Sequence, residues 1–61
     1  MDAVQFQFAL GDNIRDRDTG VSGVVTSQIA SRQGAGYWVT YLDANEVAQE
    51  AYIPEAAAEK H

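Results

Sequence analysis

The sequence predicts an all-β fold, a small barrel of four to five short antiparallel strands. Short segments rich in β-branched and aromatic residues alternate with turns that contain glycine, which is typical of small barrels and sandwiches. No segment shows a long helical period. At 61 residues the chain is one domain, close to the lower size limit at which a hydrophobic core alone can stabilise a fold.

The first predicted strand covers residues 4–10, whose sequence is VQFQFAL. Apolar and polar side chains alternate there with a period of two, as in a half-buried strand. The face predicted to be apolar consists of Val4, Phe6, Phe8 and Leu10. A bend or bulge is expected at Gly11, after which Ile14 points inward.

The segment DRDTG, residues 16–20, predicts a turn in which Gly20 takes a positive φ. Residues 21–31 follow as a strand rich in β-branched side chains. Gly23 within that strand indicates a bulge or the close approach of another backbone. The sequence SRQGAG, residues 31–36, predicts the next turn.

Residues 37–43, YWVTYLD, are the clearest strand in the chain. The sequence DANE predicts the turn that closes this hairpin, and VAQEAYI predicts a shorter strand that ends at Pro54. The alanine-rich tail that follows predicts either a short helical or 3-10 turn or a fifth short strand.

An SH3-like barrel accommodates these elements in so short a chain. The expected organisation is a single domain, with an N-terminal strand or arm at residues 1–7, the barrel at 8–54 and a C-terminal tail at 55–61.

The formal net charge of -5 disfavours direct nucleic-acid binding and suits a basic protein partner. The chain has no cysteine and its single histidine is His61, so we expect no disulfide, no metal site and no catalytic dyad. With these supports excluded, self-association into a homo-oligomer is expected.

No apolar run is long enough to span a bilayer, and the chain opens on Met1 and an acidic residue rather than a basic leader. We therefore expect a cytoplasmic protein without membrane contact.

The candidate acid–base groups are carboxylates in predicted turns or on outward strand faces, where they stay solvated and keep ordinary pKa values. They are Asp12, Asp16, Asp18, Asp43, Glu46, Glu50, Glu55 and Glu59. No histidine, cysteine or serine accompanies them in a known catalytic spacing, and DRDTG is too short for a calcium loop. The sequence accordingly predicts no catalytic, cofactor-binding or metal-binding residue.

The candidate partner-binding residues are mainly aromatic, since aromatic side chains at a barrel mouth can bind peptides or methylated amines. A role in the core or in a self-interface is the alternative for each, and neighbours such as Tyr37 and Trp38 must point to opposite faces. Arg15 and Arg17 are flanked by aspartates that can neutralise them, whereas Arg32 has no acidic neighbour. The candidates are Phe6, Arg32, Tyr37, Trp38, Tyr41 and Tyr52.

The N-terminal strand is a further candidate interface. Val4 and Phe6 would present an apolar face on an exposed strand edge, which either folds back over the barrel or pairs with another chain.

The segment FALGDNIRDRDTGVSGVV, with GYWVTYL after it, resembles a family of small phage and prophage proteins with SH3-like barrels. The residues that carry this resemblance are Phe8, Leu10, Gly11, Asp12, Ile14, Arg15, Asp16, Thr19, Gly20 and Gly23. The resemblance covers about residues 8–54 and implies the fold and a phage or prophage origin, without a shared activity.

The same layout is similar to the plasmid-borne type II dihydrofolate reductases, homotetramers of SH3-like protomers with one folate- and NADPH-binding pore. That resemblance implies pore-lining roles for Val47, Gln49, Tyr52 and Pro54, which stand here in the altered spacing VAQEAYIP. A one-residue shift moves a strand side chain to the opposite face.

The function expected from the sequence is therefore a non-enzymatic protein-interaction module, which binds a protein partner or itself through a strand edge and an aromatic surface. The alternatives are a reductase-like homo-oligomeric enzyme and an acidic decoy that inhibits a host DNA-binding enzyme. The decoy would require carboxylates clustered on one face.

Overall fold

A computed structural model describes residues 6–61. In this range the chain forms one antiparallel sheet of five strands and a single 3-10 turn. The elements are β1 Asn13–Asp16, β2 Ser22–Ser31, β3 Gly34–Leu42, β4 Ala48–Pro54, the 3-10 turn Glu55–Ala57 and β5 Ala58–Lys60.

The strand order across the sheet is β4-β3-β2-β1-β5, so the last strand returns to pair with the first. The sheet curls around one core, and the predicted all-β fold, a small SH3-like barrel with a 3-10 turn near the C-terminus, is confirmed. The two outermost strands, β4 and β5, have no ladder between them in the described chain.

The core is built from the inward side chains of each strand. The largest side chains with almost no exposed surface are Tyr37, Ile14, Ile53, Val25 and Val39. On β3, Tyr37 and Val39 alternate with the exposed Trp38, as the period of two requires. The three long strands thus form close to the positions predicted from their β-branched and aromatic residues.

Residues 6–10 are not a strand, which corrects the prediction for this segment; Val4 lies outside the described residues. Phe6 and Phe8 still pack against the core cluster, whereas Leu10 is 60% exposed. The backbone of Gly11 bends with φ 92° and donates a hydrogen bond to the Val25 carbonyl. The segment is held by side-chain packing and local turns instead of by a ladder.

Two turns between strands form close to their predicted positions. The turn between β2 and β3 is shorter than SRQGAG, because β3 already begins at Gly34. The predicted turn after β1 forms, and Gly20 has φ 81°. The buried Asp16 holds it, since its Oδ1 accepts hydrogen bonds from the backbone N–H groups of Asp18 (2.7 Å) and Thr19 (3.2 Å).

Gly23 meets the backbone of β3, as one of its two predicted roles requires. A Cβ atom built on Gly23 would lie 2.6 Å from the carbonyl oxygen of Thr40. The irregularity in the ladder lies elsewhere, between Val25 and Ser27. There the Val25 N–H donates to the Asp12 carbonyl, 2.9 Å away, so the segment that precedes β1 is hydrogen-bonded to β2 at the bulge.

The tail combines the two alternatives that the sequence left open. Pro54 precedes the 3-10 turn, and the three residues after that turn, Ala58–Lys60, pair with β1 as β5. The pairing is reinforced by an ion pair between Arg15 and Glu59. Arg17 donates to the carbonyl of Ala56. Neither arginine uses the flanking aspartates that the sequence suggested as partners.

Candidate interaction surface

The outward face of β3 and β4 carries an exposed aromatic pair. Trp38 and Tyr52 lie directly opposite each other in the β3–β4 ladder. Their ring centroids are 5.7 Å apart in an edge-on arrangement with an interplanar angle of 65°. Trp38 remains 40% exposed and Tyr52 41%. Such a pair combines a large apolar area with polar N–H and O–H groups, a combination that is common in protein interfaces.

Local sequence explains why this pair forms. Trp38 lies on the outer face of β3 between the buried Tyr37 and Val39. Tyr52 lies on the outer face of β4 between the half-buried Ala51 and the buried Ile53. A Cβ atom on Gly36 would overlap the Oη and ring atoms of Tyr52, so the absence of a side chain at this position lets the tyrosine ring lie over the β3 backbone. Aromatic rings often cover strand glycines in this way. We call Trp38 and Tyr52 the aromatic pair.

The remaining candidate residues do not join the aromatic pair. Tyr37 has no exposed surface and belongs to the core, which is the alternative that the sequence left open for each aromatic candidate. Tyr41 is half-buried and lies at the inward phase of β3, opposite Gln49. Phe6 is half-buried with its ring edge-on to Tyr37 at 5.8 Å. Arg32 is exposed in the turn between β2 and β3.

Burial has one electrostatic consequence in this region. Burial, followed by the interaction with the carboxylate of Glu55, raises the pKa of Tyr37 to about 12. The neutral phenol is therefore the form that the core holds at neutral pH. Glu55 in turn accepts a hydrogen bond from the backbone N–H of Gln7, 3.1 Å away.

The edge of β4 lies beside the aromatic pair, and the hydrogen-bond pattern shows which of its groups face outward. At the hairpin end, the Asp43 N–H donates to the Val47 carbonyl at 3.1 Å. In an antiparallel ladder, hydrogen-bonded and non-hydrogen-bonded residue pairs alternate. Counting from this bond, the odd-numbered residues of β4 bond to β3. Even-numbered residues direct their N–H and C=O groups away from it: Ala48, Glu50 and Tyr52, with the carbonyl of Pro54.

This open edge is the feature that the sequence interpretation missed, because it assigned the exposed edge to the N-terminal strand. A signal was present in the sequence. Pro54 has no N–H to donate, and one of the few positions in a sheet that tolerate proline is an edge strand with the missing N–H on its unpaired side. Since Tyr52 and Glu50 share the phase of Pro54, their backbone groups share its outward direction.

The turn before β4 is organised by Asp43. Its Oδ1 accepts hydrogen bonds from the N–H groups of Asn45 (2.8 Å) and Val47 (3.0 Å), and its Oδ2 from the Gln49 side chain (3.1 Å). These hydrogen bonds hold the pKa of Asp43 below its usual value, and the one from the Val47 N–H has the largest effect. The carboxylate is thus engaged in shaping the hairpin.

Carboxylates in the described chain are distributed over several places. Three lie at the hairpin and on β4, at Asp43, Glu46 and Glu50, and others lie around the turn after β1 and near β5. The side chain of Glu50 makes no hydrogen bond or ion pair within residues 6–61. No lysine or arginine occurs between Arg32 and Lys60 in the sequence, so β3, β4 and their connecting turn contain only negative formal charge.

The residues that the reductase resemblance singled out do not share one face of β4. Val47 lies in the turn before the strand, whereas Gln49 and Tyr52 differ by an odd number of positions and point to opposite faces. Among residues 6–61, no group of three or more histidine, cysteine or acidic side chains is placed to hold a metal ion. The same part of the chain has no helix that is both long and apolar enough to cross a membrane.

Comparison with known proteins finds no family model, no curated protein and no solved structure that matches this chain.

Proposed function

We propose that this protein is a non-enzymatic interaction module of phage or prophage origin, which acts in the cytoplasm. It binds a protein partner, or a second copy of itself, through a strand edge and an aromatic surface. The origin is supported by the resemblance of residues 8–54, and the absence of cysteine agrees with a reducing compartment.

The observation that carries this proposal is the position of the aromatic pair beside the open edge of β4. A strand edge supplies backbone hydrogen bonds to a partner, and neighbouring side chains supply affinity and selectivity. Trp38 and Tyr52 together offer the type of residue that dominates binding energy at protein interfaces. Further exposed apolar side chains flank them on the same outward face of the sheet, namely Val24 and Leu42.

The proposal is tested by comparing the wild-type protein with the double variant Trp38→Ala, Tyr52→Ala. Sedimentation velocity measures self-association, and immobilised protein measures capture of a partner from lysate of the producing cell. Leu10→Ala is the matched control, because Leu10 is also exposed and apolar but lies in the segment before β1. The double variant is expected to lose the association that the control keeps.

An association that survives in the double variant would contradict the proposal, as would a wild-type protein that neither self-associates nor captures a partner. Calorimetric titration with NADPH separates this function from the reductase-like alternative. An interaction module gives no binding heat, whereas saturable NADPH binding would favour an enzyme.

A further inference from the structure

We infer that the open edge of β4 binds a basic, extended peptide segment of another protein as a sixth, antiparallel strand. This inference rests on the proposed function and specifies its partner. The docked segment places a lysine or arginine beside Glu50 and an apolar side chain against the aromatic pair.

The backbone of β4 provides the first requirement for strand addition. Within the described chain β4 pairs only with β3, and it spans seven residues, whereas the other outer strand, β5, spans three. Three residues of β4 offer both N–H and C=O to a new strand: Ala48, Glu50 and Tyr52. Because unpaired backbone groups on a long edge are a template for another strand, proteins usually shield such edges. Here no described element covers this one.

The side chains of the same three residues define what the new strand must carry. The β4 residues whose N–H and C=O groups point away from β3 have their side chains on the face of the sheet opposite the core. Tyr52 contacts Trp38 on that face. Directly opposite residues in an antiparallel pair have neighbouring Cβ atoms. An apolar side chain opposite Tyr52 would therefore extend the aromatic pair, and the side chain opposite Glu50 would meet a carboxylate.

Charge decides between a second copy of this chain and a different partner. Glu50 has no ion-pair partner within residues 6–61, and the neighbouring hairpin adds the charges of Asp43 and Glu46. A second copy brings the same acidic hairpin and a net charge of -5 to the contact. Complementary charge favours encounter and like charge opposes it, so a basic segment is the occupant that this edge fits.

The experiment uses the full chain and the capped peptide Lys-Thr-Val-Thr-Lys-Thr-Val as the probe. When this peptide is extended, lysine and valine alternate along one face, so a lysine and a valine can lie beside Glu50 and Tyr52 together. Trp38 is the only tryptophan, and its fluorescence reports docking next to the aromatic pair. Saturable binding with a change in Trp38 emission is expected, and no binding at millimolar peptide would overturn the inference.

Selective N-methylation of the peptide tests strand pairing directly. In a paired strand, alternate amides face β4 and the others face solvent. Because the lysine and valine opposite Glu50 and Tyr52 direct their amides toward β4, methylating the two valine amides should abolish binding. Methylating the amides of the first two threonines, which face solvent, should leave binding within about twofold. Equal effects of the two modifications would exclude pairing with the edge.

Two variants of the protein test the named groups. Ala48→Pro removes an N–H that faces away from β3 at the first residue of the strand, a position where proline is tolerated; we expect at least tenfold weaker binding with the fold retained. Glu50→Gln should weaken binding about two- to fivefold at low salt. Asp18→Asn is the control, because it removes one charge in the turn after β1. An unchanged affinity in Ala48→Pro, or equal losses in Glu50→Gln and Asp18→Asn, would overturn the inference.

The outcome separates this inference from the proposed function. If the peptide fails to bind while an association still depends on Trp38 and Tyr52, the basic-strand inference is wrong and the interaction module stands. Sedimentation showing a dimer that Ala48→Pro dissociates would identify a second copy as the occupant of the edge, which also overturns the inference. Failure of both experiments would reject both proposals.

Discussion

The hydroxyl oxygen of Tyr37 accepts a hydrogen bond from the backbone N–H of Phe8, 3.2 Å away. The Tyr37 ring is fully buried and meets the rings of Phe6 and Phe8 edge-on, each at a centroid distance of 5.8 Å. One side chain of β3 thereby attaches the segment before β1 to the barrel. Because that segment has no ladder of its own, its position depends on this contact and on two further hydrogen bonds. The Gln28 side chain donates to the Phe8 carbonyl, and the Gln7 N–H donates to Glu55.

Replacing Tyr37 with phenylalanine should lower the free energy of unfolding by about 1 kcal/mol. The ring would remain in the core, but the Phe8 N–H would lose its acceptor in a partly buried position. Urea unfolding measures the stability change, and faster hydrogen exchange at the Phe8 amide would locate it. Tyr41→Phe is the control, since Tyr41 is half-buried on the same strand. Equal destabilisation by both variants would contradict the assigned role of the hydrogen bond.

Stability should fall steeply at alkaline pH because of the same residue. The pKa of Tyr37 is about 12 in the folded chain against an ordinary value of 10.0. Between these values the unfolded chain loses a proton that the folded chain keeps, so deprotonation favours unfolding as pH rises. The stabilisation is complete below pH 10 and disappears through pH 12, amounting to roughly 2–3 kcal/mol for such a shift.

Ultraviolet titration of the tyrosinate absorbance tests this expectation. The wild-type protein has three tyrosines and should show one high-pH step, which is lost in Tyr37→Phe. The free energy of unfolding of that variant, measured with urea, should fall less between pH 10 and pH 12 than that of the wild-type protein. A folded wild-type protein without a tyrosinate step near pH 12 would show that burial does not raise the pKa of Tyr37.

The contrast between residues 6–10 and the later strands shows what the sequence pattern can determine. Period-two alternation correctly indicated that Phe6 and Phe8 approach the core, but it also predicted a strand that does not form. Alternation did not hold for Leu10, which lies on the same predicted face and is exposed. A strand also requires a neighbouring backbone with free hydrogen-bonding groups. The long strands, predicted from their β-branched and aromatic residues, have such neighbours, and those predictions are confirmed.

The tail and the binding surface illustrate the limits of local pattern. The alanine-rich residues 55–61 favour a helical turn locally, but pairing with β1 holds Ala58–Lys60 in an extended conformation. This is a tertiary effect that local propensity does not predict. The opposite orientations of Tyr37 and Trp38 followed from periodicity. Which of the two is buried depends on how the sheet curls, and that is set by contacts between distant residues.

Gly23→Ala should destabilise the protein by about 1–3 kcal/mol, because the new methyl group would meet the β3 backbone. The added Cβ would lie 2.6 Å from the carbonyl oxygen of Thr40, which is fixed in the ladder. Gly36→Ala should cost less, since the atoms in its way belong to the Tyr52 side chain, which is 41% exposed and can turn outward.

Thermal unfolding and Trp38 fluorescence together check this pair of variants. Gly36→Ala should alter the Trp38 emission of the folded protein because it displaces Tyr52 from the aromatic pair, and Gly23→Ala should leave that emission unchanged. A larger loss of stability in Gly36→Ala than in Gly23→Ala would contradict the assignment of rigid and movable neighbours.

The ion pair between Arg15 and Glu59 should contribute less than about 1 kcal/mol to stability. It joins β1 to β5 across the ladder, but the two side chains are 49% and 30% exposed, so water and salt screen the attraction. A double-mutant cycle with Arg15→Ala and Glu59→Ala isolates the coupling from the packing of each side chain. The coupling should diminish between low salt and 1 M salt. A coupling above 2 kcal/mol that salt does not reduce would show that β5 depends on this pair more than on its backbone bonds to β1.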